Sequence, residues 1–195
     1  IFLAGQSEGG LLALHSTFMQ QPEANVLFPG VSADLGTLNT STNTIVTNYS
    51  IKGVFNWCGG MLDTSIIQVN EKIPVLSIHG SLDSVMPLIS GPYTYCQSTS
   101  NPYPLIYGPT AISQRLKHAG SCSETNYDEN GMHCNFPSLD PLVYIPSKFT
   151  CFFKNMLCGN CVTTDKVGYN FKTCMDAAPV GLAAPINYQD PLIRY

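Results

Sequence analysis

The chain has 195 residues with a net charge of −4, 44% hydrophobic and only 11% charged residues, enough for one domain with a sizeable core. Its nine Lys and Arg form no basic run, which argues against nucleic acid as a partner. No apolar stretch reaches the roughly 18 residues that a membrane span requires.

The first 18 residues, IFLAGQSEGGLLALHSTF, read as strand, turn and helix. Ile1 to Ala4 form the end of a buried strand. Leu11, Leu12 and Leu14 form one helix face, in a helix over 8–20 that Pro22 helps to end. Between them, Gly5-Gln6-Ser7-Glu8-Gly9 fits G-x-S-x-G, a tight strand-to-helix turn that presents a nucleophilic serine at the carboxyl edge of a sheet. Glycines at 5 and 9 suit the close approach of strand and helix, and Gly10 eases it further. The competing reading is a glycine-rich turn with an idle serine. Residues 21–50, rich in Asn, Ser, Thr and Gly, read as a loop or a small lid insertion. They contain two glycosylation patterns, Asn39-Thr40-Ser41 and Asn48-Tyr49-Ser50.

Ile51 to Cys58 reads as a strand that ends at the same edge. Trp57 and Met61 are therefore candidates for an acyl pocket, with ordinary core packing as the alternative. Ile73 to Ile78 is a buried parallel strand bounded by His79-Gly80, and Asp83 lies just past its carboxyl end. That is where an acid orienting a catalytic histidine belongs. Residues 89–109, rich in proline and tyrosine, read as an irregular aromatic segment over or beside a cleft.

A serine nucleophile needs a base, and the chain has four histidines. His15 and His79 precede Asp83. His118 sits in the last turn of a helix with Ile112, Leu116 and Ala119 at helical spacing and Gly120 as its C-cap. His133 lies in a loop that follows a short extended segment and Asn130-Gly131. His133 is the first choice and His118 the alternative.

These stretches together resemble the α/β-hydrolase superfamily over about residues 1–158. The elbow around Ser7 carries the resemblance first. His79, Gly80, Asp83, Val85 and Pro87 carry it next, matching a strand that ends in H-G followed by the acid and a V-x-P-like segment. The resemblance implies that His79 is structural and that Gly131-Met132-His133 is the loop bearing the base. It implies an α/β fold, with a mostly parallel sheet flanked by helices, and a Ser7–Asp83–His133 triad for carboxylic ester hydrolysis through an acyl-enzyme. The Glu8 backbone N–H would be one oxyanion donor, and no metal or cofactor is needed. Because that family places further strands ahead of the elbow, the chain is expected to be the carboxyl-terminal part of such a domain, its amino-terminal strands missing. The missing part of its own domain then becomes a partner beside the small ester substrate. A peptidase of the same fold and a non-catalytic binding module are the alternative readings.

Eight cysteines suggest an oxidising compartment, hence a secreted or extracellular protein. A Cys122–Cys134 bridge would brace the loop of His133, and Cys151, Cys158, Cys161 and Cys174 would pair among themselves. Zinc at Cys158-Gly-Asn-Cys161 is weighed against, because no second close pair accompanies it. Pro146 to Leu157 reads as a closing helix with Pro146 near its start. Residues 159–195 read as a cysteine-containing extension ending in a linker or tail.

Overall fold

A computed structural model gives the fold and describes residues 1–39, 49–94, 104–136, 141–161 and 163–167. The elements in chain order are β1 (Leu3–Gln6), α1 (Glu8–Phe18), α2 (Gln21–Leu27), α3 (Val31–Leu35), β2 (Val54–Trp57), β3 (Val75–Gly80), β4 (Ser90–Pro92), β5 (Leu105–Tyr107), α4 (Pro109–His118), β6 (Ser123–Asp128), α5 (Pro141–Leu157) and β7 (Thr164–Val167). Five strands form a parallel sheet in the order β1-β2-β3-β6-β7, so their carboxyl ends share one edge. β4 and β5 make a separate antiparallel pair. This is an α/β fold.

Strand alternation sends neighbouring side chains to opposite faces. Val54 and Val75 join Leu14, Phe18, Ile112 and Leu116 from α1 and α4 in one core cluster. Phe55, Leu76 and Ile78 turn to the other face, where α5 covers them with Ile145, Phe149 and Phe152. An ion pair from the buried Lys148 of α5 to the half-buried Glu124 of β6 fixes α5 further. β3 is buried along its whole length, as a central parallel strand should be.

Several sequence expectations need correction. The stretch 21–50 holds two short helices, α2 and α3, before residues that lie outside those described. Gln20 and Glu23 form a capping box, with Pro22 at the start of α2, so the same Pro22 that follows α1 begins the next helix. The last helix starts at Pro141 and leaves Pro146 in its interior, not near its start. The sheet also continues past residue 158, because β7 pairs with β6.

The disulfides differ from the expected pairing. Cys122 bonds Cys161, tying the start of β6 to the chain after α5, and Cys134 bonds Cys58. Cys122 lies just before β6 and Cys134 just beyond its end, so the length of the strand separates them. Cys161 is thereby removed from any zinc site, and Cys151 is also disulfide-bonded. Cys158 is free and exposed. Cys174, Asn48 and most of the tail lie outside the described residues. No helix among the described residues is long and apolar enough to cross a membrane.

Candidate active site

Three strands deliver three side chains to one edge. Ser7 follows β1 directly, Asp83 sits in the turn after β3, and His133 sits in the loop after β6. Ser7 Oγ lies 2.8 Å from His133 Nε2, and His133 Nδ1 lies 2.8 Å from Asp83 Oδ2. The carboxylate only accepts, so Nδ1 carries the hydrogen and Nε2 is left to accept from the Ser7 hydroxyl. His118 is exposed in the last turn of α4 and bonds neither Ser7 nor Asp83.

The elbow is strained at its centre. Ser7 has φ 55° and ψ −121°, a conformation that a non-glycine residue keeps only when its surroundings enforce it. The enforcement is visible: Ser7 N–H donates to Trp57 O at 2.8 Å, and Ser7 O accepts from both Gly10 and Leu11 N–H. A Cβ on Gly5 would lie 2.0 Å from Gly9 O, whereas one on Gly9 would meet nothing within 4 Å. The tight approach is therefore made by the α-carbon of Gly5 against the backbone of Gly9, and the side-chain position of Gly9 is open. A Cβ on Gly10 would crowd Asn56 Oδ1, a buried amide that accepts from Gly59 N–H at 3.1 Å and closes the turn beneath the elbow.

Asp83 is held on all sides. Its Oδ1 accepts from Val85 and Met86 N–H at 2.8 and 2.9 Å. Its Oδ2 lies 3.3 Å from His79 Nε2, and that nitrogen carries its hydrogen because it also donates to Met86 O at 3.0 Å. Burial opposes ionisation of Asp83, but the His133 hydrogen bond, the His79 ring and the two amides outweigh it and hold its pKa below the usual value. Leu82 N–H donates to Gly131 O, and Ser81 N–H donates to Asp128 O, so the turn of Asp83 and the loop of His133 are stitched together. Gly80 and Gly131 make the contact by having no side chains: a Cβ on Gly80 would lie 2.3 Å from Gly131 C and O.

Glu8 opens α1, where first-turn amides have no partner within the helix. Its exposed side chain accepts a hydrogen bond from Tyr93, at the end of the β4 segment. That bond, followed by its own backbone amide, keeps the Glu8 carboxyl below its ordinary pKa.

Trp57 and Met61 are not brought together. Met61 is wholly buried with Leu14 and Ile112 on one face of the sheet, whereas Trp57 packs against Phe136 on the other, with ring centroids 6.3 Å apart. A buried Met61 offers no wall to a ligand, which corrects the expected shared pocket. Two cavities, of about 480 and 400 Å³, are lined around α1 and around Phe2 and Met156, and neither includes Ser7, Asp83 or His133.

Four neighbours of the site escaped sequence reasoning: Asn56, Cys58, the contact of His79 with Asp83, and Tyr93. A polar Asn56 inside an otherwise apolar strand was a usable signal, whereas the pairing of Cys58 left no local trace. The Sγ atoms of Cys58 and Cys134 and a ring nitrogen of His133 lie within 4.8 Å of one another, but the disulfide leaves no thiolate pair for a metal.

No family model matches the chain, and no curated protein matches it. A solved structure described as a "truncated form of carbohydrate esterase from gut microbiota" is similar at 16% identity, with a TM-score of 0.44, over 78% of this chain and 58% of that one. The chain thus spans 58% of that structure's length.

Proposed function

We propose that the protein is a serine esterase of α/β-hydrolase type that cleaves carboxylic esters through an acyl-enzyme. One observation carries this reading: the unbroken row Ser7 Oγ, His133 Nε2, His133 Nδ1 and Asp83 Oδ2, with both links at 2.8 Å. The strained φ of Ser7 supports it, since idle residues rarely hold such a conformation.

Ser7 Oγ attacks the ester carbonyl while His133 Nε2 takes its proton. Asp83 keeps Nδ1 protonated and steadies the imidazolium. The Glu8 amide donates to the negative oxygen of the tetrahedral intermediate, once the carboxylate of the same residue yields its place. His133 returns the proton to the leaving alcohol, then activates a water that releases the acid and restores Ser7. The chain's own side chains supply every proton transfer in this cycle. The disulfides are compatible with an oxidising, extracellular setting.

The test is turnover of p-nitrophenyl acetate with peptide mass spectrometry of the quenched enzyme. An acetyl group on Ser7 that is absent in His133→Ala supports the reading. Turnover that persists in Ser7→Ala overturns it. Faster cleavage of a peptide anilide than of the matched ester would move the assignment to a peptidase.

A further inference from the structure

The end of β2 serves two catalytic partners at once. Trp57 O accepts the Ser7 N–H at 2.8 Å and so holds the nucleophile's backbone. The next residue, Cys58, is bonded to Cys134, which immediately follows His133. One dipeptide thus fixes the main chain at Ser7 through a hydrogen bond and the main chain at His133 through a covalent bond.

We propose that the Cys58–Cys134 disulfide is a positioning clamp for the general base, so that turnover depends on its oxidation state. The inference rests on the serine-esterase reading above and assigns two further residues to the same site. Cys58 and Cys134 take no proton and form no bond in that cycle and act through His133.

Three observations support the clamp. Both cysteines sit at positive φ, 48° for Cys58 and 51° for Cys134, and with Ser7 they are the only such non-glycine residues among those described. The bridge therefore holds the backbone in a conformation that other L residues rarely adopt. Cys134 Sγ lies 3.7 Å from His133 Nε2, so the sulfur abuts the nitrogen that receives the serine proton. Among the described residues the loop's own backbone bonds do not reach β2: Gly131 N–H donates to Asp128 O, and Met132 and Asn135 exchange two bonds, so the turn closes on itself. Beside the disulfide, the loop meets β2 through the Phe136 ring against Trp57, a packing contact three residues past His133.

Opening the clamp requires a dithiol reductant. Its two S–H bonds and the Cys58–Cys134 S–S bond break, its own S–S bond forms, and two cysteine thiols remain. Exchange involves the half-buried Cys134 more readily than the wholly buried Cys58. The cost falls on kcat because a displacement of about 1 Å at a catalytic group can cost about 100-fold.

The test compares the full wild-type chain with Cys58→Ser/Cys134→Ser and, as a control, Cys122→Ser/Cys161→Ser. It measures p-nitrophenyl acetate kinetics, the rate of fluorophosphonate labelling at Ser7 and thermal melting. EDTA is present so that freed thiols cannot capture metal with His133. The clamp predicts that kcat and the labelling rate fall about 10- to 100-fold in the first variant, with KM within about 2-fold, while the control keeps its kcat. A first variant that folds and retains the wild-type kcat overturns the clamp. If that variant does not fold, the wild-type protein is titrated with dithiothreitol, alkylated and mapped by mass spectrometry. Ser7 labelling must then fall in step with opening of Cys58–Cys134, and labelling that stays constant after both sulfurs are alkylated overturns the proposal. Failure of the underlying reading has its own signature, a wild-type chain in which Ser7 is never labelled, and it removes the clamp as well.

Discussion

Ser7 and His133 meet at 2.8 Å but are held there by different means. Ser7, the proposed nucleophile, sits between a strand and a helix, and its position follows from main-chain geometry: a strained φ, bonds to Trp57, Gly10 and Leu11, and the bare α-carbon of Gly5 against Gly9. The histidine sits on a loop whose shape comes from a self-closed turn, a Gly–Gly contact and a disulfide. A rigid element positions through its own geometry, whereas a loop needs tethers to its surroundings. The two halves of the site should therefore fail in different ways.

The largest expected effect is chemical. Ser7→Ala should lower ester kcat by up to about 10⁶-fold while the melting temperature stays near wild type, because alanine keeps the Cβ and with it the same backbone conformation. Asp83→Asn should leave the loop in place but present the wrong tautomer to Ser7, with a loss of about 10⁴-fold in kcat. Both are read from steady-state kinetics beside a thermal melt.

A third change tests the rigid half through packing. Gly5→Ala puts a methyl group where Gly9 O stands 2.0 Å away. The strand and helix must separate, at about 3 kcal/mol, the upper end for overpacking, read from urea unfolding. The neighbouring Gly9→Ala has open space and helical backbone, so it should stabilise the fold by about 0.5–1 kcal/mol. If the two glycines respond alike, the account of the elbow is wrong.

The smallest effect is a pH dependence. Burial is the main cause that lowers the pKa of both His15 and His79 below 6.5, so each is neutral in the fold. His15 Nδ1 faces Leu11 O and Nε2 accepts the Leu62 N–H, an arrangement that needs the neutral ring. A depressed histidine pKa means that the unfolded chain binds more protons just below pH 6.5. Stability is thus complete above that pH and falls as pH drops toward the folded value. Melting curves from pH 7.5 downward should show the decline, and it should be shallower in His15→Gln.

The same division explains what could be read before the fold was known. Ser7, Asp83 and the strands beneath them announce themselves through local patterns, glycine spacing and apolar runs with a turn at the end. His133 was reached by chain order and by resemblance, since a loop histidine has no periodicity to mark it. The pairing of Cys58 with Cys134 could not be read, because a disulfide joins residues 76 positions apart and depends on which strand lies beside which. Met61 misled for a related reason: a position near a strand end says nothing about which face of the sheet its side chain enters. The two helices in 21–50 were hidden because polar composition masks short helices that bury little; α3 has no buried residue and α2 has only Ala24. Pro146 suggested a helix start, yet the helix begins five residues earlier and carries the proline inside, supported by packing of Ile145 and Phe149 against the sheet.

Fluorophosphonate labelling of the wild-type and His133→Ala chains, with the labelled peptide identified by mass spectrometry, tests the central claim most directly. The account predicts a single label on Ser7 in the wild-type chain and its loss when the base is removed. A wild-type Ser7 that stays unlabelled, or a His133→Ala chain labelled at the wild-type rate, would contradict it.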